Sequence, residues 1–448
     1  MSAAPEHAPL SAENFWQPMA HPAEVRADPA RVIVRGEGVH VTDDHGRRVI
    51  DAVAGLWNVT LGYSVEPIKQ AIAAQLDQLP YFSSFRGTTH PGALQLSQQL
   101  ARWFAPEGMT RCFFSSGGSD AIETALRLAR QYWKVRGERD RHKFVSLRRG
   151  YHGTHFGGAA INGNQQFRRN YEPLLPGCSH IPAPFDYRNP FDETHPERLG
   201  ELCARLLDEE IQFQGPDTVA AFIAEPVLGA GGVIVPPPNF WPLIREVCNR
   251  HGVLLIADEV VTAFGRTGHI CGSRAWGVQP DMMCFAKAIT NGYFPFGGTL
   301  INDRIASVFE TNQNSFGAIG HGYTYSAHPV GCAAALATLA VTEELQVHRN
   351  AAVQGERLLA GLRSLQDKHA LVGNVRGKGL MACLELVSNR ETKAPLDKKA
   401  MARVADRTFE AGALVRVSSN NLILSPPLVL QAEQVDAIVD AIDAGLKQ

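Results

Sequence analysis

Two short apolar runs, each ending abruptly in one charged side chain, constrain this chain more than any other feature. Val253-Leu254-Leu255-Ile256-Ala257 runs into Asp258, and Met282-Met283-Cys284-Phe285-Ala286 runs into Lys287, 29 residues later. Apolar runs of this length without alternation fit strands buried on both faces. Such strands need helices above and below, and the gap between the two charges has room for one strand–crossover–strand step. The surrounding sequence keeps the same rhythm. Pro67 to Leu79, Gly92 to Phe104 and Asp120 to Val135 read as amphipathic helices, and Cys112 to Phe114, Lys143 to Leu147 and Val219 to Ala224 as strands. The expectation is an α/β fold, a mostly parallel sheet covered on both faces.

The flanks read differently. The first ~30 residues, rich in Pro, Ala and His, suggest an extended arm. Val32-Ile33-Val34, a turn at Gly36 to Gly38, Val39-His40-Val41 and the turn Asp43 to Gly46 predict a small antiparallel meander. After Pro329 an Ala-rich helix opens, and the chain ends in a strand at Leu422 to Leu424 and a helix from Glu433 to Leu446. We therefore divide the 448 residues into an arm and meander (1–65), a large domain (66–329) and a smaller α+β domain (330–448) that the meander joins. A 45% hydrophobic content permits a large core, and a formal net charge of -2 offers no global attraction for nucleic acid or an anionic membrane. Met1 to Asn14 lacks the basic-then-apolar pattern of a secretory signal, and Cys332 to Val341 is too short to span a bilayer. The eight cysteines form no Cys-x-x-Cys pair, and several lie in apolar runs, so free thiols in a reducing cytoplasm are expected.

Four local features carry chemistry. Ser115-Ser116-Gly117-Gly118-Ser119-Asp120 links a strand to a helix. Its glycines let backbone approach an anion, and the helix N-terminus offers unpaired N–H groups, which suits a phosphate. The same stretch also serves as a plain turn capped by Ser119 or Asp120. Asp258 sits where ligands bind in open α/β sheets, at a strand's carboxyl end, and can partner a protonated pyridine nitrogen or cap a loop. Lys287, partly desolvated at the next strand end, is a nucleophile toward an aldehyde or a snorkelling surface lysine. Tyr151, in Tyr151-His152-Gly153, stacks on a flat ring or packs in the core. His152 and His155 have no third ligand nearby in sequence, so no metal is expected.

In this order on one sheet, the cradle, aromatic, acid and lysine resemble the class III aminotransferases of pyridoxal-phosphate (PLP) fold type I. The similarity runs from Phe15-Trp16 to the last helix. Its most specific stretches are Ala257-Asp258-Glu259-Val260-Val261-Thr262-Ala263-Phe264-Gly265-Arg266-Thr267-Gly268, Phe285-Ala286-Lys287-Ala288-Ile289 and Gly322-Tyr323-Thr324-Tyr325-Ser326-Ala327-His328-Pro329. The resemblance implies that Lys287 holds PLP as a Schiff base and serves as base, and that Asp258 faces the pyridine nitrogen. It also implies Tyr151 stacked on the ring, Val260 behind it, Gly118 and Ser119 at the phosphate, and His152, Glu225 and Tyr323 close to the cofactor. Thr324 looks like a phosphate ligand given to the other subunit, which implies a homodimer with composite sites, or a tetramer of such pairs.

Within the family the chain is most similar to the omega-amino-acid–pyruvate group, which includes beta-alanine–pyruvate aminotransferases. Trp57, in Ala54-Gly55-Leu56-Trp57, Phe85, Tyr151 and Ala230 match pocket residues. Arg416 matches a mobile arginine that binds carboxylate, on a segment (Arg416 to Asn421) whose Ser and Asn content suggests flexibility, or else is a solvent-facing strand arginine. The expected substrates are an amine donor and pyruvate. Alternatives on the same scaffold are a taurine or diamine–pyruvate aminotransferase, an aminomutase, a racemase and a dialkylglycine-type decarboxylase. A Rossmann dehydrogenase lacks its Gly-x-Gly-x-x-Gly turn here. Gly117 and Asp120 stand where Ser and Glu are commoner, and Arg86, beside Phe85, either pairs locally or reads a distal acid on the donor.

Overall fold

The computed structural model describes residues 14–27 and 30–447. Most of the region read as a signal-free start therefore lies outside the described residues, as does the first part of the expected arm. The described part of that arm is not wholly extended, because Pro22–Ala27 is a short helix.

Three antiparallel strands follow: β1 (Ile33–Glu37), β2 (His40–Asp43) and β3 (Arg48–Asp51). The large sheet has seven strands: β4 (Met109–Ser115), β5 (Lys143–Leu147), β6 (Cys178–Ile181), β7 (Val219–Ala224), β8 (Leu254–Asp258), β9 (Met282–Phe285) and β10 (Gly297–Asn302). Their order is β4-β10-β9-β8-β7-β5-β6. The pairs β5–β6, β5–β7, β7–β8 and β8–β9 are parallel, while β10 runs antiparallel to both its neighbours. The expected α/β fold with a mostly parallel sheet is what the chain adopts. Every residue of β7, β8 and β9 is buried, as an unbroken apolar run requires.

Sequence pattern missed β6 and β10. Cys178-Ser179-His180-Ile181 is half-buried at a sheet edge and carries little apolar signal. Gly297-Gly298-Thr299 is short of the β-branched and aromatic residues that mark a strand. Its glycines are required by crowding: a Cβ on Gly297 would meet the carbonyls of Gly117 and Phe285 at 2.8 Å.

The C-terminal part adds β11 (Val372–Gly377), β12 (Ala382–Asn389), β13 (Ala394–Pro395), β14 (Ala413–Leu414), β15 (Arg416–Ser418) and β16 (Asn421–Leu424). Strand β14 pairs in parallel with β3, joining Ile50 to Ala413, so the N-terminal meander is stitched to C-terminal chain. One apolar cluster contains Val39, Ile50 and Leu61 together with Leu384, Leu424 and Ile438. The Ala-rich helix Pro329–Leu345 packs largely buried against the rest. Among the described residues no single helix is long and apolar enough to cross a membrane.

Candidate active site

The carboxyl ends of β4, β5, β7, β8 and β9 lie along one edge of the sheet, and each delivers part of the site. Strand alternation separates the two acids at the end of β8. Glu259 turns into the protein and accepts hydrogen bonds from the N–H groups of Gly272 and Ser273. It is a structural acid. Asp258, 4% exposed, turns toward Lys287 and Glu225, whose charge states it influences.

Lys287 follows β9 with a left-handed φ of 49° and opens a 3-10 turn, Lys287–Thr290. Desolvation holds its ammonium below the usual lysine pKa, the carboxylates of Asp258 and Glu225 oppose that shift, and Arg416 adds to it. A lowered pKa keeps more of the amine neutral and nucleophilic.

His152 does not reach outward as a ligand. It is 1% exposed, and its Nδ1 lies 2.8 Å from Asp258 Oδ2. Its Nε2 is buried without a partner among the described residues. A proton on Nε2 would be unsatisfied, so the network assigns the Nδ1–H tautomer, donating to Asp258. Asn162 Oδ1 accepts from the His152 backbone N–H, and Asn162 Nδ2 donates to the Gly153 carbonyl, which fixes the loop. His152 thus acts on the site through Asp258. His155 points elsewhere, to Asp120 Oδ1 at 2.7 Å.

Glu225, just past β7, ties two loops together. Its Oε1 accepts from the Tyr151 N–H at 2.9 Å and its Oε2 from the Gly229 N–H at 2.8 Å. Burial, then the nearby Asp258, raises its pKa to about 7, against His152 and the two backbone bonds. Tyr151 is half-buried, with Phe167 edge-on at 4.7 Å between ring centres. Sequence reading missed Phe167, which lies in a short 3-10 turn with no periodic signal.

The cradle is built at the N-terminus of Gly118–Val135, where no side chain caps the helix. Gly118 is required by contact, since a Cβ there would meet the Val260 methyls at 3.0 and 3.2 Å. Ser119 Oγ accepts from the Thr154 N–H at 3.2 Å. The unusual Asp120 has its own task, accepting from the Ser116 N–H at 3.0 Å while holding His155. Gly117 is extended, and among the described residues no atom lies within 4 Å of a Cβ built there.

Other expected residues fall at the margins. Trp57 is buried in an apolar cluster with Val227, Val233, Met381, Cys383 and Ile423. Ala230 lies half-buried in the turn that Gly229 begins. Phe85 is 50% exposed, its ring against Gly322. Arg86 is exposed and makes no ion pair among the described residues. Tyr323 donates its hydroxyl to the Asp120 carbonyl at 2.9 Å, beside the helix start that forms the cradle. Thr324 is exposed, and its carbonyl accepts from Tyr81 Oη at 2.7 Å. Arg416, at the start of β15, is half-buried, forms no ion pair among the described residues, and is held below the usual guanidinium pKa by desolvation, which nearby Tyr151 opposes.

A family model for aminotransferase class-III matches residues 22–446. The chain belongs to the class III aminotransferases. It is 38% identical to putrescine–pyruvate aminotransferase of Pseudomonas aeruginosa, over 96% of this chain and 93% of the relative. It is also 38% identical to diaminobutyrate–2-oxoglutarate transaminase of Halomonas elongata, covering 92% and 89%. An amine transaminase from an uncultivated Pseudomonas species, solved in its PLP-bound internal aldimine form, superposes with a TM-score of 0.96 at 51% identity, covering 97% and 99%. This class III aminotransferase uses PLP, and its residues fit that group. The uncapped helix start and the glycine cradle suit the phosphate, and the buried Asp258 carboxylate suits a pyridinium.

Proposed function

We propose that this enzyme transfers the amino group of an omega-amino acid or primary amine to pyruvate, giving alanine, by ping-pong transamination. The observation that carries the choice of substrates is Arg416, a half-buried guanidinium without an ion-pair partner among the described residues, within electrostatic reach of Tyr151 and Lys287. A desolvated cation without a counter-ion favours a carboxylate brought by the substrate.

When bound, PLP accepts the electrons of the carbon–hydrogen bond that breaks. In our reading Lys287 Nζ would hold it and would serve as the base that takes up the proton of the donor carbon. Asp258 would face the ring nitrogen, and His152 Nδ1 holds the Asp258 side chain in place. Gly118 and Ser119 would hold the phosphate, Val260 and Tyr151 would flank the ring, and Glu225 fixes the Tyr151 loop. Trp57, Phe85 and Ala230 shape the pocket. Arg86, exposed and without an ion pair among the described residues, is the candidate for a distal acid on the donor.

We further propose a homodimer, alone or paired into a tetramer, in which Thr324 completes the partner's phosphate site. Its exposure supports this, as do the exposed rings beside it: Tyr81, Phe82, Phe85 and Tyr325 are 38 to 58% exposed. Exposed rings grouped in this way favour contact with another surface. All eight cysteines are free, which fits a cytoplasmic enzyme.

The putrescine–pyruvate relative favours a second reading, a diamine donor with the same acceptor. Initial rates for beta-alanine, a neutral aryl-alkyl amine and putrescine, each against pyruvate and 2-oxoglutarate, decide between them. Turnover with 2-oxoglutarate alone would refute the acceptor assignment.

A further inference from the structure

The segment that carries Arg416 is held more firmly than its Ser- and Asn-rich sequence implies. Arg416–Ser418 and Asn421–Leu424 form a tight hairpin, Arg416 opposite Ile423 and Ser418 opposite Asn421. Asn421 Nδ2 closes it by donating to the Ser418 carbonyl at 3.1 Å. Asn420 and Asn421 are each 8% exposed.

What holds this hairpin is a buried guanidinium on β11. Arg376 Nη2 donates to Asn421 Oδ1 at 2.8 Å, and its Nε donates to the Gly232 carbonyl at 2.7 Å. Its Nη1 serves Glu385 Oε2 and Asn374 Oδ1, both at 2.9 Å. Glu385 in turn accepts from Arg188 Nε and lies 3.4 Å from Asn420 Nδ2. The Arg376 guanidinium also lies over the Phe185 ring, 4.7 Å from its centre. Gly232 accommodates this approach: its φ is 112°, and a Cβ there would meet Arg376 Nη2 at 2.9 Å. The other end of the same turn, Gly229, is held by Glu225. One planar fork therefore spans from the turn containing Ala230 to the hairpin containing Arg416. A guanidinium with fixed donor directions suits this task, and an ammonium cannot reach all four acceptors.

We infer that Arg376 is a positioning residue for carboxylate substrates: it locks the Arg416 hairpin onto the Gly229–Gly232 turn, so that Arg416 responds to substrate by side-chain rotation alone. This rests on the proposed carboxylate role of Arg416. Backbone that drifted would carry the guanidinium away from the fixed cofactor, and a substrate held at both ends would bind less well. A neutral amine, which does not use Arg416, would not register the drift.

The test compares PLP-loaded wild type with Arg376→Gln, Asn421→Ala, Arg416→Ala and the double variant Asn421→Ala/Arg416→Ala. Single-turnover half-reactions with beta-alanine and with 1-phenylethylamine are followed at several concentrations, beside thermal melts. Arg376→Gln and Asn421→Ala should each raise half-saturation for beta-alanine by roughly tenfold, with a far smaller change for 1-phenylethylamine. In the Arg416→Ala background Asn421→Ala should add nothing, since the two act in series. Should Arg376→Gln fail to fold, Asn421→Ala decides alone, because it removes the bridge without orphaning Glu385. Equal losses for both amines, or none for beta-alanine, would overturn the inference while Arg416→Ala still discriminates the two. If Arg416→Ala itself fails to discriminate, the carboxylate reading falls, and the inference with it.

Discussion

Replacing Asp258 by Asn tests whether the carboxylate at the end of β8 is the group that the rest of the site is arranged to support. The side chain is nearly isosteric and 4% exposed, so packing should survive. Its hydrogen bonds cannot. Asp258 Oδ2 faces His152 Nδ1 at 2.8 Å, and Oδ1 accepts from the Val260 N–H at 3.2 Å. Both neighbours present a proton, and an amide can accept only one of them. If the amide nitrogen faces Val260, two donors oppose each other. If it faces His152, the imidazole must move its proton to Nε2, which is buried and has no partner among the described residues. Either arrangement leaves a buried donor unsatisfied, at ~1–3 kcal/mol. The larger effect, on the proposed role of Asp258, is loss of the carboxylate that would face the ring nitrogen, at ~3–5 kcal/mol when one partner of a buried pair is removed. Turnover should therefore drop by roughly 150-fold or more, at ~1.4 kcal/mol per factor of ten. The assay is alanine formation from pyruvate under saturating PLP, beside an absorbance titration of cofactor binding. His152→Ala, which removes only the support, should cost about tenfold, taking ~1.5 kcal/mol for a hydrogen bond to a charged group. Near-normal turnover of Asp258→Asn with bound cofactor would refute the reasoning.

Borohydride reduction should fix pyridoxyl on the tryptic peptide containing Lys287, and Lys287→Ala should lose several orders of magnitude in turnover; label on another lysine refutes the anchor. Co-expressing Lys287→Ala with a crippling Thr324 variant should restore activity, because mixed dimers contain one intact site; heterodimers as inactive as their parents show that Thr324 serves its own chain. Arg416→Ala should reduce the specificity constant for pyruvate and beta-alanine by roughly 10- to 150-fold, for ~1.5–3 kcal/mol of charge-assisted bonding, and Lys should rescue poorly. Glu225, with its pKa raised to about 7, holds a proton in the folded chain that the unfolded chain has released above the usual carboxyl range. Its contribution to stability is therefore lost as pH rises through 7. Melting of the cofactor-free Glu225→Gln variant should accordingly gain on wild type between pH 5 and pH 8, and parallel curves would count against the raised pKa.

The fold was legible wherever one physical demand wrote itself along consecutive residues. Strands β7, β8 and β9 are unbroken apolar runs because both their faces are covered, and Asp258 and Lys287 stand out because charge ends those runs. The uncapped helix start showed through Gly117-Gly118-Ser119 for a similar reason, since close approach of backbone to Val260 excludes a side chain at Gly118. Strand β6 did not show, being half-buried, and neither did β10, whose glycines answer to neighbouring backbone rather than to strand propensity. His152 was visible as a residue of the site but not as the support of Asp258, because that bond joins positions 106 residues apart.

Residues 416–421 reveal the limit most clearly. Ser and Asn favour turns because their side chains compete for backbone partners, and from sequence that competition looks like looseness. Here the partners are supplied from a distance. Asn420 reaches the Leu386 carbonyl, and Asn421 joins Ser418 to Arg376, itself set by Gly232 and Glu385. The polar composition that suggests a flexible arm is what lets a buried network hold it still. A mobile arginine then needs no mobile backbone: four side-chain torsions on a fixed Cα suffice to swing a guanidinium toward an acid or away from an apolar amine. That arrangement also makes a prediction distinct from loop flexibility, since hydrogen exchange at the Asn421 amide should be slow in the wild type and accelerate in Arg376→Gln. Rapid exchange in both proteins would show that the hairpin moves as a whole and that the clamp does not govern it.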